Sequence, residues 1–131
     1  MNRWAMFFRW SSALVASFLL VACSNASHPS AQSTLASSAD RELADVEPIV
    51  RPYKRQHVVT GTAIEGPALI ISTDAEQWSQ LDDSADESLK AALLARWAKS
   101  WTRDNPHRHA HVRVVFRNYY GQEITSVAKS V

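Results

Sequence analysis

Residues 84–101 read SADESLKAALLARWAKSW, and residues 109–117 read HAHVRVVFR. These two runs decide the fold. In the first, Leu89, Leu93 and Trp97 recur every four residues, as do Leu94 and Ala98, with Trp101 one turn on. That spacing makes one apolar stripe on a helix. Lys90, Arg96, Lys99 and Arg103 fall largely outside it. Ser84 followed by Glu87 has the form of a capping box, so the helix is expected from Asp86 to about Thr102. Acids at its start and bases towards its end both suit the helix dipole. Asn105-Pro106 stops it, because the residue before a proline is pushed out of the helical region. The second run alternates. Ala110, Val112, Val114 and Phe116 face one way, and His109, His111 and Arg113 the other, as on a strand with one buried face. The apolar set is expected to pack on the helix.

Strands also flank this pair. His57 to Ile64 is rich in Val and Thr, and Ala68 to Ser72 is a short apolar run. Between them Glu65-Gly66-Pro67 is turn chemistry, so the two make a hairpin. Thr73 with Glu76 has the form of a second capping box, opening a short helix through Trp78 and Leu81. After the second long run, Tyr119-Tyr120-Gly121-Gln122 is a turn and Glu123 to Ala128 returns as a strand. The expectation is an α+β fold: a small antiparallel sheet of about four strands in ββαββ order, with one long amphipathic helix across one face. This reasoning does not order the strands within the sheet.

The amino-terminal stretch has a different character. Arg3 and Arg9 give it positive charge without an acid, and an apolar run follows from about Ala13 to Ala22. From Trp10 to Ala22 that run is short of the roughly 20 apolar residues a membrane-spanning helix needs. A positive start, a short apolar core and small residues before a cut are the layout of a secretory signal. At its end stands Leu20-Val21-Ala22-Cys23, with the only cysteine of the chain. Leucine three residues before the cysteine, alanine one before it and a serine-rich segment after it resemble the lipobox of bacterial lipoproteins. The resemblance covers this end of the chain alone. It implies cleavage between Ala22 and Cys23, a diacylglycerol on the Cys23 sulfur and acylation of the new amine. Two or three acyl chains anchor a protein stably where one holds only marginally. Ser24 stands where an aspartate retains enteric lipoproteins at the inner membrane. The resemblance therefore implies an outer-membrane location, facing the periplasm.

Three segments are expected: a signal over 1–22, a lipidated cysteine and flexible tether over 23–47, and a small folded domain over 48–131. From Ser24 to about Asp40 the chain is mostly Ser, Ala, Thr, Gln and Asn. Ordering such a segment costs backbone entropy and buries little. Arg41 to Glu47 has the makings of a helical turn, which Pro48 and Pro52 are expected to end. A domain of that size buries a modest core. With its one cysteine assigned to lipid, it has no intramolecular disulfide to help.

Charge narrows the function. The chain carries 14 Lys and Arg against 13 Asp and Glu; setting aside Arg3 and Arg9 leaves 12 against 13. A near-neutral product has no bulk attraction for nucleic acid, which is not expected as a partner. Within the chain the charge is uneven: Asp74 to Glu87 is acidic, and Lys90 to Arg117 is basic except for Asp104.

Candidate sites follow from these patterns. His107, His109 and His111 alternate, and two imidazoles on one strand face can hold zinc, copper or nickel. Arg108 and Arg113 beside them oppose a cation, and a solvated strand face is the plainer account. Arg96, Lys99, Arg103, Arg108, Arg113 and Arg117 form a candidate surface for an anion or an acidic partner, since arginine pairs with phosphate and carboxylate through two parallel donors. Trp78, Trp97 and Trp101 offer a stacking platform for an envelope glycan, but they also fall on the stripe that must face the core. Tyr119 and Tyr120 sit in a turn, where exposed aromatics occur at interfaces. No serine stands in a Gly-x-Ser-x-Gly elbow, and three glycines leave no phosphate cradle. The acids Asp82-Asp83 and Asp86-Glu87 are at helix starts, where capping accounts for them.

The sequence thus leads to a non-enzymatic envelope lipoprotein, held by acyl chains in membrane lipid and docking another envelope protein or a glycan. No cofactor is expected beyond the covalent lipid. The alternative is a periplasmic module that binds a divalent transition metal or another ligand through the histidine strand.

Overall fold

The computed structural model describes residues 31–131, with side-chain environments from residue 38 onward. Cys23, Ala22, the signal and the first part of the tether lie outside the described residues. The order of elements is α1 (Ala31–Arg55), β1 (Val59–Glu65), β2 (Ala68–Thr73), α2 (Ala75–Ser79), α3 (Asp83–Asp104), β3 (His111–Arg117) and β4 (Glu123–Ser130). The fold is α+β with four strands, but two expectations need correction.

The first concerns α1. The chain does not wait until residue 48 to fold, and Pro48 and Pro52 lie inside a 25-residue helix. A proline in a helix interior costs about 3 kcal/mol. Here Pro48 and Pro52 both face solvent, one turn apart. The carbonyls they leave without an amide partner, those of Ala44 and Pro48, are on that same wet side. On the opposite side Glu42, Val46 and Val50 are buried, with Leu43, Ile49 and Tyr53 packed against the core. Full burial of a valine contributes roughly 1.5–3 kcal/mol, so Val46 and Val50 together offset most of the proline cost. The long helix across the sheet is therefore joined by a second.

The end of α1 corrects a smaller point. His57 takes φ +59°. Its amide donates to Lys54 O at 3.1 Å, and the Val58 amide to Tyr53 O at 2.9 Å. This is a Schellman cap with a histidine in the left-handed position that usually takes glycine. His57 thus closes a helix instead of opening a strand.

The second correction concerns the sheet. Its order is β1-β2-β3-β4, with β1/β2 and β3/β4 antiparallel but β2/β3 parallel. The sheet is mixed because α3 carries the chain back along the full strand length. β3 therefore starts where β2 started, as a helical crossover between neighbouring strands requires. Helices α1 and α3 contact each other and cover one face of the sheet. Val46 and Val50 of α1 and Leu89, Leu93, Trp97 and Trp101 of α3 meet Leu69, Ile71, Val112, Val114 and Phe116 there. The helix caps are also displaced from the expected serine and threonine. Asp74 accepts from the amides of Glu76 and Gln77, both at 3.0 Å, and Asp82 accepts from Ser84 N at 3.2 Å.

Trp97 ties the layers together. Fully buried, its indole Nε1–H donates to Pro67 O at 2.9 Å, while the Arg113 amide donates to the same carbonyl at 3.1 Å. The β1–β2 turn is thereby fixed to both α3 and β3. Trp97 and Trp101 lie against each other inside the core, and Trp78 packs on Phe116 at 4.8 Å between ring centres. Trp97 and Trp101 build the core and Trp78 packs against it, so these three offer no shared stacking platform. Among the described residues, no helix is long and apolar enough to cross a membrane.

Candidate functional site

The histidines do not share a strand face. β3 begins at His111, so His107 and His109 sit in the loop before it, all three exposed. The His111 ring Nδ1 is 3.0 Å from Ser130 Oγ, across the β3–β4 pair. Among the described residues, no three His, Cys, Asp or Glu side chains come together as a metal would need.

The six cations proposed as one surface divide between the two faces of the sheet. Register places Gly61, Ser72, Arg117 and Glu123 in one row on the open face, and Glu65, Ala68, Arg113 and Ala128 in another, four residues away along the strands. Between them runs Ala63, Ile70, Val115 and Ser126. Arg117 reaches back across this middle row to Glu65, with Nη1–Oε1 at 2.8 Å and Nη2–Oε2 at 3.0 Å. Arg113 reaches the other way, to Ser126 Oγ at 3.2 Å and to Glu123 at 3.4 Å. The two guanidinium groups thus lie diagonally over the sheet, and Ile70 and Val115 beneath them are buried although no helix covers that face. Aliphatic stems of arginine cover apolar surface in this way. The Arg117 bond holds the Glu65 carboxyl below its ordinary range. These two arginines seal a face and are already paired with carboxylates.

The remaining cations lie on α3 and around its carboxyl-terminal end. Arg103 is also committed: Nη1 donates to Asp45 at 2.7 Å, Nε and Nη2 to the two oxygens of Asp104, both at 2.9 Å, and Nη2 to Ser100 Oγ at 3.2 Å. Ser100 in turn donates to Asp45 at 2.7 Å. Arg41 stands 3.8 Å from Asp104. This network joins α1 to α3 and depresses the Asp45 carboxyl, chiefly through Ser100, and the Asp104 carboxyl, chiefly through Arg103. Glu42 goes the other way. At 4% exposed, its carboxyl is raised by burial first and by Asp104 second. Arg108 lies over the Trp101 ring, 5.8 Å from its centre.

Arg96, Lys99 and Lys129 make no salt bridge among the described residues. They surround two adjoining hollows. One, of about 440 Å³, lies between α3 and the end of β4, with Ala95, Ala98, Thr102 and Val131 in its wall and Lys99, Arg103 and Lys129 at its rim. The other, of about 240 Å³, is lined by Asp45, Arg96, Lys99, Ser100 and Arg103. Lys129 was not among the expected cations. It lies on β4, beyond the strand expected to end at Ala128, and only the β3–β4 register brings it to α3.

The other distinctive feature is at the opposite end of the fold. Tyr119 and Tyr120 are 91% and 82% exposed, their rings edge to face at 5.5 Å. The turn that carries them is closely determined. Asn118 Oδ1 accepts from the amides of Tyr120 and Gln122, each at 3.0 Å, and Asn118 Nδ2 donates to Gln122 Oε1 at 2.9 Å. Asn118 N donates to Gln122 O, and Gly121 N, at φ +78°, to Asn118 O. The sequence placed the pair in a turn correctly; the side-chain bonds of Asn118 that stiffen it were missed.

The two ends of the molecule can be told apart. The β3–β4 turn, the start of α3 and the end of α1 lie at one, since Val59 pairs with Thr73 and Arg117 with Ser72. The β1–β2 turn, the end of α3, Arg41 and Val131 lie at the other, as the bonds Trp97–Pro67 and Ala110–Val131 and the Arg41–Asp104 pair require. Comparison of the chain with protein-family models, with curated proteins and with solved structures finds no match.

Proposed function

We propose that the chain is a lipid-anchored, non-enzymatic module of the cell envelope that docks another envelope component through Tyr119 and Tyr120. The tyrosine pair is the observation that carries the docking half of this reading. Two large aromatic side chains are left in water with no neighbour in the core to pack on, yet the turn beneath them is fixed by five hydrogen bonds. Tyrosine is enriched in interface anchors because it presents a large amphipathic surface at low entropic cost. A rigid turn lowers that cost further. The anchoring half rests on the lipobox around Cys23. Attachment at Cys23 brings the chain into α1 from the end opposite the tyrosines, so the pair is carried away from the bilayer. An outer-membrane position facing the periplasm follows from Ser24 in the same proposal. The histidine loop, with no gathered ligand set, gives no comparable support to a metal-binding role.

The test is membrane fractionation of wild type and Cys23→Ser, with the mass of the mature amino terminus, beside crosslinking of the wild type and of Tyr119→Ser/Tyr120→Ser. The anchored product should begin at an acylated Cys23, and Cys23→Ser should leave the membrane fraction. The double serine variant should stay in the membrane and lose its crosslinked species. An unmodified sulfur removes the anchor, and crosslinks that survive the double change remove the tyrosine docking site.

A further inference from the structure

We infer that the cleft between α3 and the end of β4 binds the phosphate of an anionic phospholipid headgroup in the membrane that carries the chain. This deepens the anchored reading above and rests on it. The first argument is charge without a counterpart. Arg103 spends four of its N–H groups on Asp45, Asp104 and Ser100, so it stiffens the rim and has little left to offer a ligand. Lys99 and Lys129 both line the hollow, Lys99 shares the adjoining one with Arg96 and Asp45, and none of the three cations makes a salt bridge among the described residues. Asp45, in the wall of the smaller hollow, is held by Arg103 and Ser100, and Asp104 by Arg103 and Arg41. A phosphate therefore meets two ammonium groups that have no salt-bridge partner among the described residues, a common way for lysine to bind phosphate.

The second argument is the wall. Ala95, Ala98 and Val131 give the cleft an apolar floor beside its cations. Inorganic phosphate has no use for such a floor, whereas the glycerol carbons of a lipid headgroup do. The third argument is position. The cleft is at the end of the fold from which α1 runs back towards the anchor, as the Arg41–Asp104 pair fixes. From Cys23 to Ala31 is eight residue steps, at most about 29 Å when extended. The helix from Ala31 to Arg41 adds about 15 Å. The cations are thus confined to within roughly 45 Å of the headgroups, and confinement lets a weak site fill by raising the effective concentration. The domain then stands on its basic end with the tyrosine turn pointing outward.

The experiment uses the full lipidated chain, reconstituted in vesicles of phosphatidylcholine or of phosphatidylcholine with phosphatidylglycerol. Lysines are acetylated by an amine-reactive reagent and read by peptide mass. Lys99 and Lys129 should react about fivefold more slowly on the anionic vesicles. Lys54, at the far end of α1, should react equally on both. Lys129→Gln should restore the reactivity of Lys99 while helix content is unchanged. Equal rates for Lys99 and Lys129 on the two membranes, with the chain still sedimenting with the vesicles, overturn the headgroup site and leave the anchor standing. A chain that does not sediment overturns both. Equal slowing of Lys54 means general surface attraction and not this cleft. Protection of the same two lysines by inorganic phosphate on phosphatidylcholine vesicles means a free-anion site, which overturns the lipid source.

Discussion

Trp97→Phe is the sharpest test of how the layers are held. The indole is fully buried, and its N–H is the only side-chain bond between α3 and the β1–β2 turn among the described residues. Phenylalanine keeps most of the ring but leaves a void of about 40 Å³, which at about 24 cal/mol per Å³ costs about 1 kcal/mol. The lost hydrogen bond adds about 0.5–1.5 kcal/mol. Its cost should lie within that range and not above it, because Pro67 O keeps the Arg113 amide as a partner and is not orphaned. The total is about 2 kcal/mol, against about 3–5 kcal/mol for Trp97→Ala. For a domain of this size that lowers the melting temperature by roughly 8–16 °C. Circular dichroism on the unlipidated Cys23→Ser background, by urea and by heat, measures it without relying on the tryptophan signal. A loss below about 0.5 kcal/mol would show that Trp97 does not pin the turn. A loss equal to that of Trp97→Ala would refute the claim that ring volume and hydrogen bond contribute separately.

Four further outcomes are expected. His57→Gly should stabilise the fold by up to about 1 kcal/mol in urea denaturation, since relief of the left-handed cost exceeds the entropy glycine adds to the unfolded chain. Glu42→Gln should raise the melting temperature at neutral pH. Burial raises the folded pKa of Glu42, so its contribution is favourable below its ordinary value of 4.5 and lost as pH rises; the advantage of glutamine should fade on acidification through that region. Asp45 and Asp104 have the opposite sign. Their depressed carboxyls stabilise the α1–α3 contact above about 3.8 and lose that effect as pH falls further, so Asp45→Asn should flatten the acid limb of the melting curve. Changing Arg113 and Arg117 together to alanine should uncover Ile70 and Val115, and binding of a hydrophobic dye should rise while helix content is unchanged.

The parts of this fold that sequence reveals are those where one interaction dominates. Leu89, Leu93 and Trp97 make a helix at any reading, because burial of that stripe outweighs everything else in the segment. The hairpin turn at Gly66 and the β3 alternation are equally local. What sequence hides depends on a partner distant in the chain. Pro48 and Pro52 signal a helix end by themselves. They are tolerated because Val46 and Val50 find α3 and β1, and because both rings face water. Asp82 caps a helix that Ser84 appeared to open, since either residue satisfies the local pattern and only the backbone chooses. The parallel β2/β3 pair depends on α3 returning the chain along the sheet, a connection long enough to serve as the crossover that a parallel pair needs. The two hairpins are each antiparallel and by themselves carry no information about how they join.

The candidate sites follow the same division, and it decides which of them deserve experiment. A run of basic residues states nothing about whether a carboxylate already occupies each one. Arg103, Arg113 and Arg117 look in sequence like Arg96 and Lys99, yet the fold gives the first three to Asp45, Asp104, Glu123 and Glu65. An arginine with its fork filled is a structural brace, and removing it loosens the protein before it weakens any ligand. Of that run, Arg96 and Lys99 are left without a salt bridge among the described residues, and they line the hollows that Lys129 also borders. The same reasoning isolates the tyrosines: their turn is overdetermined while their rings contribute nothing to the core. Features that the fold supports at a cost but does not use are where binding should be sought, and in this chain they lie at opposite ends of one four-stranded sheet.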